Sequence, residues 1–264
     1  MQSLLNSLKK WLLAFGFHPK DTLTAILKLP KYFRDKKTLN KQKISSNVNF
    51  QFGGFYPCLF DEEDEGGNAK GHYFHQDLLV ARKIFLVNPK KHVDVGSRID
   101  GFVSHVASFR EIEIFDIRDI KTKVPKIKFI KTDLMKDLDK SLYYYTNSLS
   151  CLHTLEHFGL GRYGDKVKYD GYLDGFENLY KILNRGGKFY FSVPIGPQRI
   201  EFNAHRVFSV KYLLDLILPK YRIDSFSYVD DKGDLIENAE LTKEAIGNNF
   251  GCFYGCGIFE LTKL

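Results

Sequence analysis

The sequence predicts an α/β protein built on a doubly wound sheet, and three stretches carry that prediction. The first is Lys91–Phe102, KHVDVGSRIDGF. There a short apolar run, His92–Val95, takes Asp94 into a turn bearing Gly96 and Gly101, and a helical pattern follows over Phe102–Phe109. A strand that feeds a helix through a glycine turn is how such folds build a cofactor pocket. Glycine lets a ligand approach the backbone, and the first helical turn offers free N–H groups. The second is the alternation of strand-like and helix-like runs downstream of that turn. The third is Tyr169–Leu183, which has helical spacing, ends in NRGG and passes into the buried strand pattern Lys188–Val193, closed by Pro194.

Composition narrows the class. A chain of 264 residues, 44% hydrophobic and 27% charged, has an ordinary globular core and room for one α/β domain with an added segment, or for two small domains. No run approaches the roughly 20 apolar residues of a membrane span. Nor does the N-terminus carry the apolar core and small-residue cleavage site of a secretory signal, so a cytoplasmic protein is expected. The four cysteines, Cys58, Cys151, Cys252 and Cys256, are scattered and read as buried free thiols. A facing Cys252–Cys256 pair, as a disulfide or part of a zinc site, is the alternative. The net charge of +7 gathers in the first 43 residues and in Lys121–Lys140. It forms no stripe interleaved with stacking aromatics, so it reads as solvated surface rather than a nucleic-acid footprint. Phosphorylated small molecules or an anionic membrane face would suit the same charge.

In chain order, Leu4, Leu5, Leu8, Trp11, Leu12 and Phe15 fall at helical spacing over residues 2–16, with Lys9 and Lys10 between them. This predicts a helix docked on its own domain or on a dimer partner. Peripheral contact with a membrane surface is the other use of a basic amphipathic helix. A short helix over Leu23–Leu29 and a polar linker, KYFRDKKTLNKQK, come next, and Asp61–Gly67 reads as a solvated loop. Gly71–Phe85 predicts a helix leading into the Asp94 strand, with His72, His75, Gln76 and Asp77 at its start, where they can cap it or line a pocket. Strands are expected at Glu111–Asp116, Lys126–Lys131 and Leu142–Leu152, a further helix at Val210–Leu218, and closing strands at Tyr221–Val229 and Phe253–Leu261.

The order of these features resembles the class I S-adenosylmethionine-dependent methyltransferases over Lys91–Leu264. DVGSRIDG looks like that family's first glycine motif, and Asp116 ends the second strand where the family places a ribose-binding acid. FIKTDL resembles the segment whose acid, here Asp133, meets the adenine amine while Leu134 packs on the ring. SLSCLHTLEHFG is similar to the loop after the fourth strand in small-molecule methyltransferases, and LYKILNRGGKFYFSVP to the next helix, turn and strand. HYFHQD and DVGSR-DG also resemble a poorly characterised branch of bacterial and nematode proteins of unknown function. The resemblance implies a Rossmann-like, doubly wound, seven-stranded sheet with the last strand antiparallel over residues 71–264, behind an N-terminal helical extension and loop, 1–70. It departs at Arg98 and Asp100, where the family's turn has glycine. The methionine end of the cofactor is then expected to be held differently, or binding to be lost.

The resemblance implies S-adenosyl-L-methionine as cofactor, with Asp94, Gly96, Ser97, Asp116, Asp133 and Leu134 around it. A strand-end carboxylate can accept both ribose hydroxyls, and a second can accept from an amino group. His157, just past the fourth strand, is the expected base for an alcohol acceptor, with His205 as the next choice. His72, His75, His153 and Arg206 are expected to contact the acceptor, a hydroxylated small molecule such as a sugar or sugar nucleotide of carbohydrate biosynthesis. Each loop histidine also has a plain reading as a surface or capping group. His153, Glu156 and His157 spell H-x-x-E-H, but a zinc peptidase needs that motif on a long helix, and here it runs into Gly159 and Gly161. No protein metal ligand is assigned, although a divalent cation aiding hydroxyl deprotonation stays open. The competing expectation is a non-catalytic Rossmann-like protein that binds a glycan precursor or a partner enzyme.

Overall fold

In the computed structural model, which describes residues 2–48, 50–63, 67, 69–121 and 123–264, the chain divides into two units, Met1–Asn68 and Ala69–Leu264. The first contains α1 (Gln2–Ala14) and α2 (Pro19–Ile44). α2 opens with Pro at its first position and Asp21 in its first turn, and Lys41 and Lys43 close it, which suits the helix dipole at both ends. The stretch expected as a polar linker is therefore helical. Its Lys, Arg, Gln and Leu residues are strong helix formers, no glycine interrupts them, and the single Pro30 is accommodated. The following segment folds back on α2, with Lys36 Nζ 3.6 Å from the centre of the Phe55 ring and Lys31 paired to Glu62 at 3.0 Å. Leu8, Trp11 and Phe15 of the predicted stripe are exposed, whereas the Leu4 and Leu5 side chains, and Asp64–Gly66 of the acidic loop, lie outside the described residues. No described helix is long and apolar enough to cross a membrane.

The second unit begins with α3 (His72–Val87), β1 (Val93–Val95) and α4 (Ser104–Ala107). It continues through β2 (Ile112–Asp116), β3 (Ile127–Lys131), β4 (Thr146–Leu152), α5 (Gly171–Ile182) and β5 (Leu183–Ile195). A small hairpin, β6 (Arg199–Glu201) and β7 (His205–Val207), precedes α6 (Val210–Ile217) and β8 (Tyr221–Val229). β9 (Leu235–Ile236), α7 (Lys243–Gly247) and β10 (Gly255–Lys263) close the unit. The sheet order is β3-β2-β1-β4-β5-β10-β8-β9. β1 to β5 run parallel, and β10 is antiparallel to both of its neighbours. The expected seven strands are thus joined by an eighth. Asp230 accepts from the backbone of Lys232 and Asp234, folding the chain after β8 into a tight turn that sets two-residue β9 on the edge.

Two other expectations move. The helix predicted over Phe102–Phe109 begins as a π-helical turn, Ile99–Val103, and shortens to α4. The cause is Gly101, whose non-helical backbone presses against Asp77; a Cβ there would stand 2.7 Å from Asp77 Oδ2. The strand predicted from Leu142 starts only at Thr146, because Tyr144 takes a left-handed conformation.

Side-chain alternation along β5 separates the core into two layers. Phe189, Phe191 and Val193 face one cluster with Phe176 and Leu179 of α5 and Leu213 and Ile217 of α6. Tyr190 points to the opposite cluster, with Leu79, Val80 and Ile84 of α3 and Phe102. Phe191 is fully buried among the Phe176, Phe189 and Phe259 rings. Phe191→Ala should lower the unfolding free energy by about 3–5 kcal/mol. Urea denaturation should report this as a lower midpoint at similar slope. A loss below about 1 kcal/mol would contradict that packing.

Candidate active site at the carboxyl edge of the sheet

β1 delivers Asp94 to the interior, where it is fully buried. Oδ1 accepts from Ser97 Oγ at 2.8 Å and Ser150 Oγ at 2.5 Å, and Oδ2 accepts from the Ser97 backbone at 3.0 Å. Burial pushes its pKa up to about 7 despite those donors. Asp94, expected beside a cofactor, is instead absent from the cavity lining. Its oxygens are consumed in tying the turn to β1 and β4. Gly96 turns the chain with φ +71°, and a Cβ there would meet Thr154 Cγ2 at 2.4 Å. Glycine is required both by that backbone conformation and by the close approach of the loop after β4. Arg98 and Asp100, standing where the resemblance calls for glycine, pair with each other on the exposed side of the turn.

A cavity of about 200 Å³ opens where the parallel strands end. Gly96 and Ser97 after β1, Asp116 at the end of β2, Asp133 and Leu134 after β3, and His153 and His157 after β4 all line it. The Asp116 carboxylate is forked by Arg118, whose Nε and Nη2 donate at 3.1 and 2.7 Å, and the Arg118 backbone donates at 2.8 Å. The Arg118 guanidinium also lies 4.5 Å from the Tyr163 ring centre, in the cavity wall. Asp133 accepts from the Met135 backbone at 3.0 Å and pairs with Lys136 at 3.1 Å.

The loop after β4 makes one short 3-10 turn, Leu155–His157, not the long helix of a zinc peptidase. At its centre Glu156 is fully buried and accepts from His153 Nδ1 at 2.8 Å. Burial works to raise the Glu156 carboxyl, but His153 and His157 outweigh it and hold the group below its ordinary range. His157 Nδ1 donates to the Ala204 carbonyl at 2.6 Å, so its proton sits on Nδ1 and Nε2 keeps a lone pair. Burial lowers its pKa, against the nearby Glu156 charge. A neutral imidazole with a free Nε2 on a cavity wall can accept a proton. Past it, Asp165 gathers the backbone N–H groups of Gly159, Gly161 and Tyr163. Gly159 cannot be replaced, since a Cβ would lie 1.9 Å from the Lys168 carbonyl oxygen.

The remaining candidates separate. His72 stacks on His153 at 5.1 Å and touches Tyr254, whose ring also stacks on His205 at 4.9 Å. His72 and His205 therefore gather beside His153 without lining the cavity itself. His75 packs edge-to-face on Phe74 and also stands outside the lining. Arg206, expected to meet the acceptor, instead donates to the carbonyls of Glu156, Phe158 and Tyr169, and it is buried. It braces the loop that carries His157. Sequence reasoning missed Glu156 as an organising carboxylate, Arg118 and Tyr163 as cavity walls, and Cys256 as a neighbour of His72 and His153. The H-x-x-E-H spelling of His153, Glu156 and His157 was a signal for Glu156, read there only as a zinc-peptidase motif. The spacing offered Cys252 alone as a partner for Cys256; the pairing of β10 with β5 takes Cys256 to histidines that are not its sequence neighbours.

The model of a family described as "Caenorhabditis protein of unknown function, DUF268" matches residues 101–250, more than half of the chain. No curated protein matches the sequence. The [4+2]-cyclase SpnF is similar in structure, with a TM-score of 0.50 and 11% identity over 72% of this chain and 80% of its own. The 1,6-didemethyltoxoflavin-N1-methyltransferase of Burkholderia thailandensis, solved with S-adenosylhomocysteine, has a TM-score of 0.50 and 13% identity over 74% of this chain and 79% of its own. The fold is that of the class I S-adenosylmethionine-dependent methyltransferases. A cyclase and a methyltransferase on one fold mean that activity must be argued from the site.

The raised pKa of Asp94 carries a pH signature. The folded chain holds this proton up to about pH 7, the unfolded chain only to its ordinary 3.8. The associated stability is fully present at low pH and is lost as pH rises through about 7. Asp77, which burial raises to about 6, acts in the same direction. In Asp94→Asn, a neutral group of the same shape, urea midpoints should change less between about pH 5 and about pH 8 than in the parent, with the Asp77 share remaining. Equal pH dependence in the two proteins would refute the assignment.

Proposed function

The chain belongs to the family described as "Caenorhabditis protein of unknown function, DUF268", and we propose that its second unit is an S-adenosylmethionine-dependent O-methyltransferase acting on a hydroxylated small molecule, a sugar or sugar nucleotide of carbohydrate biosynthesis. One observation carries the reading: Gly96, Ser97, Asp116, Asp133 and His157 converge on a single cavity at the carboxyl edge of parallel strands, where open α/β sheets hold their ligands. The residues fit the cofactor. Asp116 would take the ribose hydroxyls, sharing its oxygens with Arg118; Asp133 would accept from the adenine amine; and Leu134 would supply an apolar wall. Bound S-adenosylmethionine supplies an electrophilic methyl group on a sulfonium sulfur.

The chain's own contribution is positioning and proton transfer. His157 is held by Ala204 in the tautomer that leaves Nε2 free, and it would take the acceptor's hydroxyl proton. Glu156, 3.6 Å from Nε2, would favour the imidazolium that results. His205, beyond Tyr254, would orient the acceptor. The free cysteines suit a reducing cytoplasm. A second reading, a non-catalytic binding protein, has one observation in its favour, the fork by which Arg118 already engages both Asp116 oxygens.

Calorimetric titration with S-adenosylhomocysteine separates the two. The methyltransferase reading expects binding that falls about ten- to a hundredfold in Asp116→Ala, given roughly 1.5–3 kcal/mol for hydrogen bonds to a charged group. His157→Ala should bind normally yet lose about a hundredfold to ten-thousandfold in methyl transfer to responsive sugars or sugar nucleotides. No binding by the parent protein would leave the second reading standing, and unchanged affinity in Asp116→Ala would remove Asp116 from the cofactor site.

A further inference from the structure

His72 opens α3, His153 follows β4, and Cys256 lies near the start of β10. The sequence holds them far apart, yet one ring nitrogen from each histidine and the Cys256 Sγ all lie within 4.8 Å of one another. Two imidazoles and a thiolate form a donor set suited to zinc and neighbouring borderline ions, and poorly suited to magnesium or calcium. We propose that His72, His153 and Cys256 bind a single zinc-class divalent cation beside the cavity, through these three side chains.

An independent observation points to a ligand at this place. His153 is buried, its side chain 3% exposed, and Nδ1 is committed to Glu156 at 2.8 Å. That leaves Nε2 as a buried nitrogen without a hydrogen-bond partner. A carboxylate on one nitrogen of a histidine whose other nitrogen meets the metal is the arrangement that fixes metal-bound imidazoles in their tautomer and orientation. Glu156 fills this role, fully buried and with Oε2 unpartnered.

The frame around the donors is rigid. His153 takes φ +50°, uncommon for a non-glycine residue, and its backbone N–H donates to both Ser192 O and Ser192 Oγ. Ser192 in turn donates to Gln76 Oε1 at 2.6 Å, the same oxygen that the Cys256 thiol faces at 3.7 Å. Gln76 lies one helical turn beyond His72, so α3 supplies both a ligand and a support for another ligand. Donors of a tetrahedral zinc stand about 3.3–3.7 Å apart, so ligation would draw these three together by no more than about 1.5 Å. The half-buried His72 can make that adjustment by a rotamer change. Binding would replace the thiol proton, which is released to solvent. Three protein ligands leave a fourth position for water or for an acceptor hydroxyl or thiol, whose proton the cation would make easier to remove.

The inference does not depend on methyl transfer, and its test reads the metal directly. The full chain, purified without a polyhistidine tag and stripped with a chelator, is titrated with cobalt(II) chloride. The expected result is one cobalt per chain with tetrahedral visible bands and a thiolate-to-cobalt charge-transfer band. That band should vanish in Cys256→Ser, and affinity should fall at least about tenfold in His72→Ala and about ten- to a hundredfold in Glu156→Gln. Absence of the charge-transfer band in the parent, or its survival in Cys256→Ser, overturns the proposal; survival would assign it to exposed Cys58 or another thiol. Circular dichroism checks that each variant is folded. If Cys256→Ser does not fold, His72→Ala decides alone, and unchanged cobalt affinity there overturns the site. S-adenosylhomocysteine binding without a cobalt signal defeats the metal site only, whereas a cobalt signal without S-adenosylhomocysteine binding defeats the methyltransferase reading only.

Discussion

The cavity end of the sheet depends on one carboxyl group that solvent does not reach. Asp94 sits opposite Ser150 in the β1–β4 register and reaches forward to Ser97. The one side chain therefore joins two central strands and the turn between β1 and the helix after it. With the turn fixed, Gly96 abuts Thr154, and the chain after β4 has little freedom over where to leave the sheet. His153, Glu156 and His157 inherit their positions from that contact. A buried acid with three donors costs desolvation, but it specifies a single arrangement in return.

The same logic explains why HYFHQD and DVGSRIDG belong together in one chain. Asp77 from α3 accepts from the Phe102 backbone and packs on Gly101, so the second glycine serves the junction of α3 with the turn. Gln76 reaches the other way, to Ser192 and Cys256, and donates to Asp77. A polar thread of side chains thus runs beneath the cavity from the glycine turn to the last strand. Arg206 does comparable work on the far side of the His157 loop, with three backbone carbonyls in place of side chains.

The parts that were legible in the sequence are those governed by period and by strand ends. Strand-like apolar runs marked β2, β5 and β8, and the family resemblance marked the acids Asp116 and Asp133, at and after strand ends, as cavity groups. The rest depended on distance in the chain or on competition for donors. Arg206 has the composition of a ligand-binding arginine, and only the carbonyls around it reveal that it is committed elsewhere. Asp94 looked like a cofactor group for the same reason. Residues 31–43 looked like a linker because their polarity hid a strong helix preference, and β9 arose from a turn whose hydrogen bonds no periodicity records. The grouping of His72, His153 and Cys256 follows from strand order, which brings the chain after β4 near β10, and from α3, which brings His72 to the same place.

That strand order has a kinetic consequence. β10, residues 255–263, lies inside the sheet between β5 and β8, both of which are synthesised earlier. Until it arrives, β5 and β8 each present an open edge of unpaired backbone groups flanked by buried phenylalanines. The central pairing joins segments some 60 or more residues apart, which makes its closure slow relative to local helix formation. While the chain is still on the ribosome, that gap is where a second strand, from a neighbouring copy or from a chaperone, has the best opportunity to insert.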